Sequence, residues 1–166
     1  MEELLIKIAD NMTNEKVLYI ELLELSQAKT VIVTERRIKD LEKIVEMEQD
    51  LIVRIGNIDG DRQDLLEELA SFQGVPGESI TLTHLIQWSN GDIKARFQSL
   101  QDDFQDIVNR QQHLNEVNSK LIETNLEYVD FALHLMAGQG ESGKVYEKKG
   151  QVSQGNQNRN LFDTQA

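Results

Sequence analysis

The sequence predicts an all-α protein: a long antiparallel helical hairpin or coiled-coil bundle with a short connecting helix and a flexible C-terminal tail. Three observations predict it. Apolar residues recur at steps of three and four over most of the chain, which is the spacing of one helix face. Proline occurs once in 166 residues, and aromatic residues make up only 5%. The one β-branched run, Thr30–Thr34, has no second run to pair with as a strand, so it reads as helix of lowered propensity, with a bend.

The first long helix is expected over residues 2–57. Leu5, Ile8 and Met12, then Tyr19, Leu22 and Leu25, then Leu41, Ile44, Leu51 and Ile55 mark its apolar face, and Glu, Lys, Asp and Gln fill the other positions. Gly56 and Gly60 bracket a break. Asp61 then caps a short helix over 62–72, with Leu65, Leu66, Leu69 and Phe72 on its apolar side and Gly74 as a left-handed stop. Gly74 to Gly77, around Pro76, is the clearest turn. Thr81 or Ser79 caps the second long helix, expected over 81–137, with Asn90 and Gly91 interrupting its front. Ile93, Phe97, Leu100, Phe104, Ile107, Leu114, Leu121, Tyr128 and Leu135 form a heptad seam there, with Gln111, Asn118 and Asn125 as its polar members. Such a seam packs coiled-coil fashion, and polar residues in it fix register at a cost in stability. Two helices of about 55 residues, each roughly 80 Å long, are expected to fold back on one another, with the short middle helix covering one end.

The organisation is therefore a helical domain over 1–137 and a tail over 138–166. The tail holds five of the ten glycines, with four basic and three acidic groups. The rest of the chain carries 13 basic and 26 acidic groups, and the whole carries −12. A tail so poor in aliphatic side chains cannot bury enough surface to offset its ordering entropy. It nevertheless keeps two small apolar clusters, Val145 with Tyr146 and Leu161 with Phe162.

These features exclude several functions. A field of −12 repels a phosphate backbone, so no nucleic-acid partner is expected. No apolar run approaches the roughly 20 residues that span a bilayer, and the acidic N-terminus lacks a signal region, so a soluble, cytoplasmic protein with no membrane insertion is expected. Without cysteine there is no disulfide or thiolate metal site. His84, His113 and His134 lie too far apart in sequence for a paired-histidine site. Asn57 to Asp61 resembles the start of a calcium loop, but Arg62 stands where glycine is required, and helix capping explains these residues better. Gly138 to Lys144 has the spacing of a phosphate-binding loop, but Val145 replaces the Ser or Thr that would hold the metal, and no strand precedes it. No nucleophile, base and orienter assemble. A non-enzyme with no cofactor and no metal is expected.

Leu126, Tyr128, Val129, Leu133, Leu135 and Met136 spread around more than one face of the second long helix. Two readings of them stay open. The start of the first helix and a homodimer contact cover them, or they form an exposed apolar groove that receives a partner helix.

The order and spacing of several elements resemble the FlgN-type flagellar export chaperones over nearly the whole chain. In the first half these are Tyr19, Leu22, Leu23, Lys29, Leu41, Ile44, Glu48, Leu51, Ile55, Arg62, Leu65 and Leu66. In the second they are Asn115, Asn118, Leu121, Ile122, Leu126, Tyr128, Tyr146, Gly150, Arg159, Leu161, Phe162, Asp163 and Ala166. The resemblance implies a chaperone that binds C-terminal helical segments of hook–filament junction (hook-associated) proteins. It would prevent their premature assembly and deliver them to the flagellar type III export apparatus. Carried over, cargo contact is expected at the end of the second long helix and at Tyr146, Leu161 and Phe162. A structural coiled-coil or adaptor component of the same machinery is the alternative, and a nucleotide-binding protein a remote one.

Overall fold

The computed structural model describes residues 1–138, and all regular structure among them is helical: α1 (Glu2–Thr34), α2 (Ile38–Gln73), a 3-10 turn (Gly77–Ser79), α3 (Leu82–Trp88) and α4 (Gly91–Gly138). The all-α expectation holds. The chain divides into two units, Met1–Asp130 and Phe131–Ala166. The expected tail begins at Gly138, so residues 139–166 lie outside the described residues.

The helix boundaries differ from expectation in three places, each with a physical cause. The helix expected over 2–57 is two helices, separated at Glu35–Arg37. There Arg36 takes the left-handed conformation (φ 57°). Its amide donates to the Val33 carbonyl (3.2 Å) and the Arg37 amide to the Ile32 carbonyl (3.0 Å). That is a Schellman stop with arginine in the position usually taken by glycine. The weak run Thr30–Thr34 directly precedes it, so helix propensity is lowest where the chain turns.

No break occurs at Gly56 and Gly60. The helix expected over 62–72 is the last third of α2, which runs unbroken through both glycines and through Asp61. Two glycines cost about 1 kcal/mol each, less than an apolar face burying Ile44, Leu51, Ile55, Leu66 and Leu69 supplies. A Cβ added at Gly60 meets nothing within 4 Å. Gly60→Ala is therefore predicted to stabilise the fold by about 0.4–1 kcal/mol, read as a higher urea midpoint with an unchanged slope.

The helix expected over 81–137 is also two. Ser89 and Asn90 are extended or irregular between α3 and α4, and Gly91 adopts φ 52°. Other expectations hold. Gly74 ends α2 at φ 67°, and its amide donates to the Ala70 carbonyl (2.9 Å). Thr81 caps α3 in a reciprocal box with His84.

Cross-helix contacts fix the topology of the first unit. Residues meeting between α1 and α2 run in opposite directions: Glu15 with Arg62, Glu21 with Arg54, Lys29 with Glu48. Those between α1 and α4 run together: Asp10 with Arg96, Lys16 with Asp103, Thr30 with Asn118, Val33 with Asn125. Thus α2 is antiparallel to α1, and α4 is parallel to it. The turn, α3 and the break at Gly91 carry the chain back from the end of α2 to the start of α4. The result is three long helices rather than two, because the reversal at Arg36 splits the expected first arm.

The main core lies where α1 begins. Leu4, Leu5 and Ile8 pack there with Leu66 and Leu69, Leu85 of α3, and Phe97 and Leu100 of α4. A smaller cluster of Leu18, Leu51 and Ile55 continues between α1 and α2. The end cap is thus α3, not a helix over 62–72.

Candidate functional site

Farther along α4 the seam turns polar, as the heptad spacing predicts. Gln111 Nε2 donates to Ser26 Oγ (2.7 Å), Asn118 Nδ2 to the Ser26 carbonyl (2.9 Å) and Asn125 Nδ2 to the Val33 carbonyl (3.1 Å). Thr30 Oγ1 donates to Asn118 Oδ1 (2.8 Å). Ser26 and Asn118 are buried. A one-step slip of α4 along α1 would strand each of these groups, so the polar series sets register. Asn125 does more than set register, since its amide reaches the Val33 carbonyl, which also accepts from the Arg36 amide at the turn.

Past that series the helices leave a groove. At the core end α2 and α4 meet through Leu66, Leu69 and Phe97. At the turn end Ile32, Ile38 and Leu41 line one side of a cavity of about 260 Å³, and Ile122, Leu126 and Val129 line the other. Arg36 and Tyr128 close one end, the guanidinium 4.5 Å above the ring centroid. This stacking, a cation held against a ring face, also helps hold Arg36 in its left-handed conformation. The groove lining is nearly all carbon, yet Leu126 is 59% exposed, Val129 50% and Ile38 69%. The volume lies below the roughly 300–1,000 Å³ of small-molecule sites. An open apolar trough of this size has room for a few aliphatic side chains.

Of the expected contact residues, the structure brings Leu126, Tyr128 and Val129 together in this groove. Leu133, Leu135 and Met136 belong to the second unit, on the last turns of α4, where each is exposed. Tyr146, Leu161 and Phe162 lie outside the described residues, as does nearly all of the Gly138 to Lys144 string. Sequence reasoning missed the opposite wall, Ile32, Ile38 and Leu41. A continuous first helix would have carried those residues away from the end of α4. A signal for them existed: Ile38, Val45 and Ile52 step by sevens on a line beside the core positions Ile44, Leu51 and Ile55.

A buried ion pair stands apart from the groove. Glu15, only 3% exposed, accepts from Arg62, which also pairs with Asp59. Burial pushes the Glu15 carboxyl above its ordinary pKa, and the Arg62 charge opposes that shift only in part. The Tyr19 hydroxyl is raised as well, by burial first and then by the Glu15 charge. The pair ties α1 to α2.

No helix among the described residues is long and apolar enough to cross a membrane. Register-fixing polar contacts and an open apolar trough define the class as an all-α helical bundle with an uncovered apolar face. The comparisons with known proteins agree. The sequence profile described as FlgN protein matches residues 1–154. A Bacillus subtilis (strain 168) relative, described as uncharacterized protein YvyG, is 26% identical over 152 residues, which cover 90% of this chain and 91% of that protein. No solved structure matches. The chain belongs to the FlgN family of flagellar export chaperones.

Proposed function

We propose that this chaperone binds hook–filament junction proteins in the cytoplasm through their C-terminal helical segments. It keeps those subunits from assembling early and passes them to the export apparatus. The observation that carries this reading is the apolar groove between the Arg36 turn and α4, whose walls expose Ile38, Leu126 and Val129. Exposed aliphatic side chains at helical spacing are what an amphipathic cargo helix needs as a seat. Family membership supplies the flagellar context. Leu133, Leu135 and Met136, and Tyr146, Leu161 and Phe162 of the chain's last residues, add cargo contacts in this reading.

Calorimetric titration of the full chain with a peptide from the C-terminal helix of a hook–filament junction protein tests it. Binding is expected, and Val129→Asp is expected to weaken it by about tenfold or more, since one aliphatic anchor contributes about 1.5–3 kcal/mol. The same titration with a chain ending at Ala137 measures what Tyr146, Leu161 and Phe162 contribute. No binding by the full chain would defeat the proposal. Binding indifferent to Val129→Asp would remove the groove from it.

A further inference from the structure

The reversal between α1 and α2 uses an arginine where its geometry asks for glycine. Arg36 sits at φ 57°, in the left-handed region that glycine enters at no steric cost and other residues enter under strain. The side chain does not offset this strain. Arg37 beside it is engaged with Glu35 and Asp40, and the Arg36 guanidinium goes instead to the Tyr128 ring, 4.5 Å from the centroid. Tyr128 is 55% exposed, and a cation–ring contact at an exposed site contributes less than the left-handed conformation costs. For turning the chain alone, arginine is therefore the poorer choice here. A strained residue that also borders a binding site points to a role in that site.

The role follows from what the stack joins. Tyr128 is on α4 and Arg36 is on the reversal, so the stack ties the helix that supplies one wall of the groove to the turn that carries the other. A second tie lies beside it. Asn125 Nδ2 donates to the Val33 carbonyl (3.1 Å), which also accepts from the Arg36 amide (3.2 Å). The wall of Ile32, Ile38 and Leu41 and the wall of Ile122, Leu126 and Val129 are thereby held at one spacing ahead of any partner. We infer that Arg36 is a positioning residue for partner binding: stacked on Tyr128, it fixes α4 against the α1–α2 reversal and keeps the groove preformed. The inference rests on the groove reading proposed above and adds what holds the groove in shape. A preformed site loses less conformational freedom when the partner arrives, and affinity rises accordingly. Strain at Arg36 thus lowers the stability of the free chain and raises its affinity.

The test separates affinity from stability, on full-length variants. Arg36→Gly removes both the strain and the stack. Its urea midpoint is expected to equal or exceed the parent's, because glycine suits the left-handed position. Calorimetric titration with the C-terminal junction-protein peptide is expected to show binding about fivefold weaker. In the free chain, hydrogen exchange of the α4 amides from Ile122 to Val129 is expected to quicken about fivefold in Arg36→Gly, while amides around Phe97 keep their rate. Tyr128→Leu removes the ring face and keeps apolar bulk. It is expected to weaken binding to a similar degree, and adding Arg36→Gly to it is expected to bring no further loss, because the two residues act as one unit. Stability falling in step with affinity in Arg36→Gly would make Arg36 a residue of the turn alone and overturn the inference, as would unchanged exchange along α4. Losses that add in the double variant would show Arg36 touching the partner itself and would overturn it too. Failure of the groove reading has a different signature. If Val129→Asp weakens peptide binding and Arg36→Gly does not, the groove stands and the positioning role falls. If neither does, or the parent does not bind, the groove reading falls and the positioning role with it.

Discussion

Replacing Arg62 with Met is expected to lower the free energy of unfolding at neutral pH by about 3–5 kcal/mol, the usual effect of leaving one partner of a buried ion pair alone. The geometry makes this pair consequential. Glu15 is almost fully buried between α1 and α2, and Arg62 is the cation that neutralises it. Methionine fills the space of the arginine stem without its charge, so the loss is electrostatic rather than a packing defect. The effect is also expected to depend on pH, with a sign that follows from Glu15. Its carboxyl is already raised in the folded protein, because burial outweighs the Arg62 charge. A group raised on folding stabilises the native state below its unfolded pKa and loses that contribution as pH rises through the folded value. Removing Arg62 deletes the one cause that lowers the folded value, so the window widens upward. The stability gap between Arg62→Met and the parent is therefore expected to narrow as pH falls from neutral, as Glu15 in the variant takes up a proton. Urea unfolding at neutral and at acidic pH, for both proteins, measures it. A gap independent of pH would mean that Glu15 stays ionised or becomes hydrated once Arg62 is gone.

The contrast between this pair and the groove shows what the sequence made legible. Periodicity identified much of the buried face of the long helices, such as Leu5, Ile8, Ile44, Leu51, Phe97 and Leu100, but not Leu18 and Leu23 of α1, and it placed the exposed Tyr128 and Leu135 in the seam. Local backbone chemistry identified Gly74 and Thr81, where a left-handed residue and a hydroxyl cap are needed at one position. The polar seam was legible for a similar reason, since Gln111, Asn118 and Asn125 continue a heptad that would otherwise be aliphatic. The reversal at Arg36 was not. It uses no glycine, proline or asparagine, and its left-handed residue is held by contacts from elsewhere, with Asn125 on the Val33 carbonyl and Tyr128 under the guanidinium. Those partners are some 90 residues away in sequence, so no local pattern announces the turn. Missing the turn displaced Ile38 and Leu41 from the site, although Leu126, Tyr128 and Val129 on the other side were identified. Gly56 and Gly60 misled in the opposite direction, because a weak local preference gave way to a long buried face. Glu15 was one charge among 46, and nothing in the sequence joined it to Arg62; only the antiparallel pairing of α1 with α2 makes them an ion pair.

The same division between core and groove sets the second large expected effect. Phe97 is fully buried, among residues of α1, α2, α3 and α4, and among the described residues it is the largest side chain with no solvent contact. Phe97→Ala is expected to cost about 3–5 kcal/mol, the lost transfer energy of the ring plus a cavity that four converging elements cannot all collapse to fill. Domains of this size have total stabilities of about 5–15 kcal/mol, so the variant is expected to unfold at a much lower urea concentration and to populate unfolded chain well below the parent's melting temperature. Leu126→Asp gives the necessary comparison. Leu126 is more than half exposed, so its replacement is expected to move the urea midpoint little while weakening partner binding, whereas Phe97→Ala moves the midpoint strongly. At temperatures where Phe97→Ala remains folded, it is expected to keep the partner affinity of the parent, because none of its contacts lie in the groove. Loss of affinity in folded Phe97→Ala would show that the groove depends on the packing of the distant core. Retained affinity would place recognition in the turn end of the bundle, with the core acting only to keep α2 and α4 where they are.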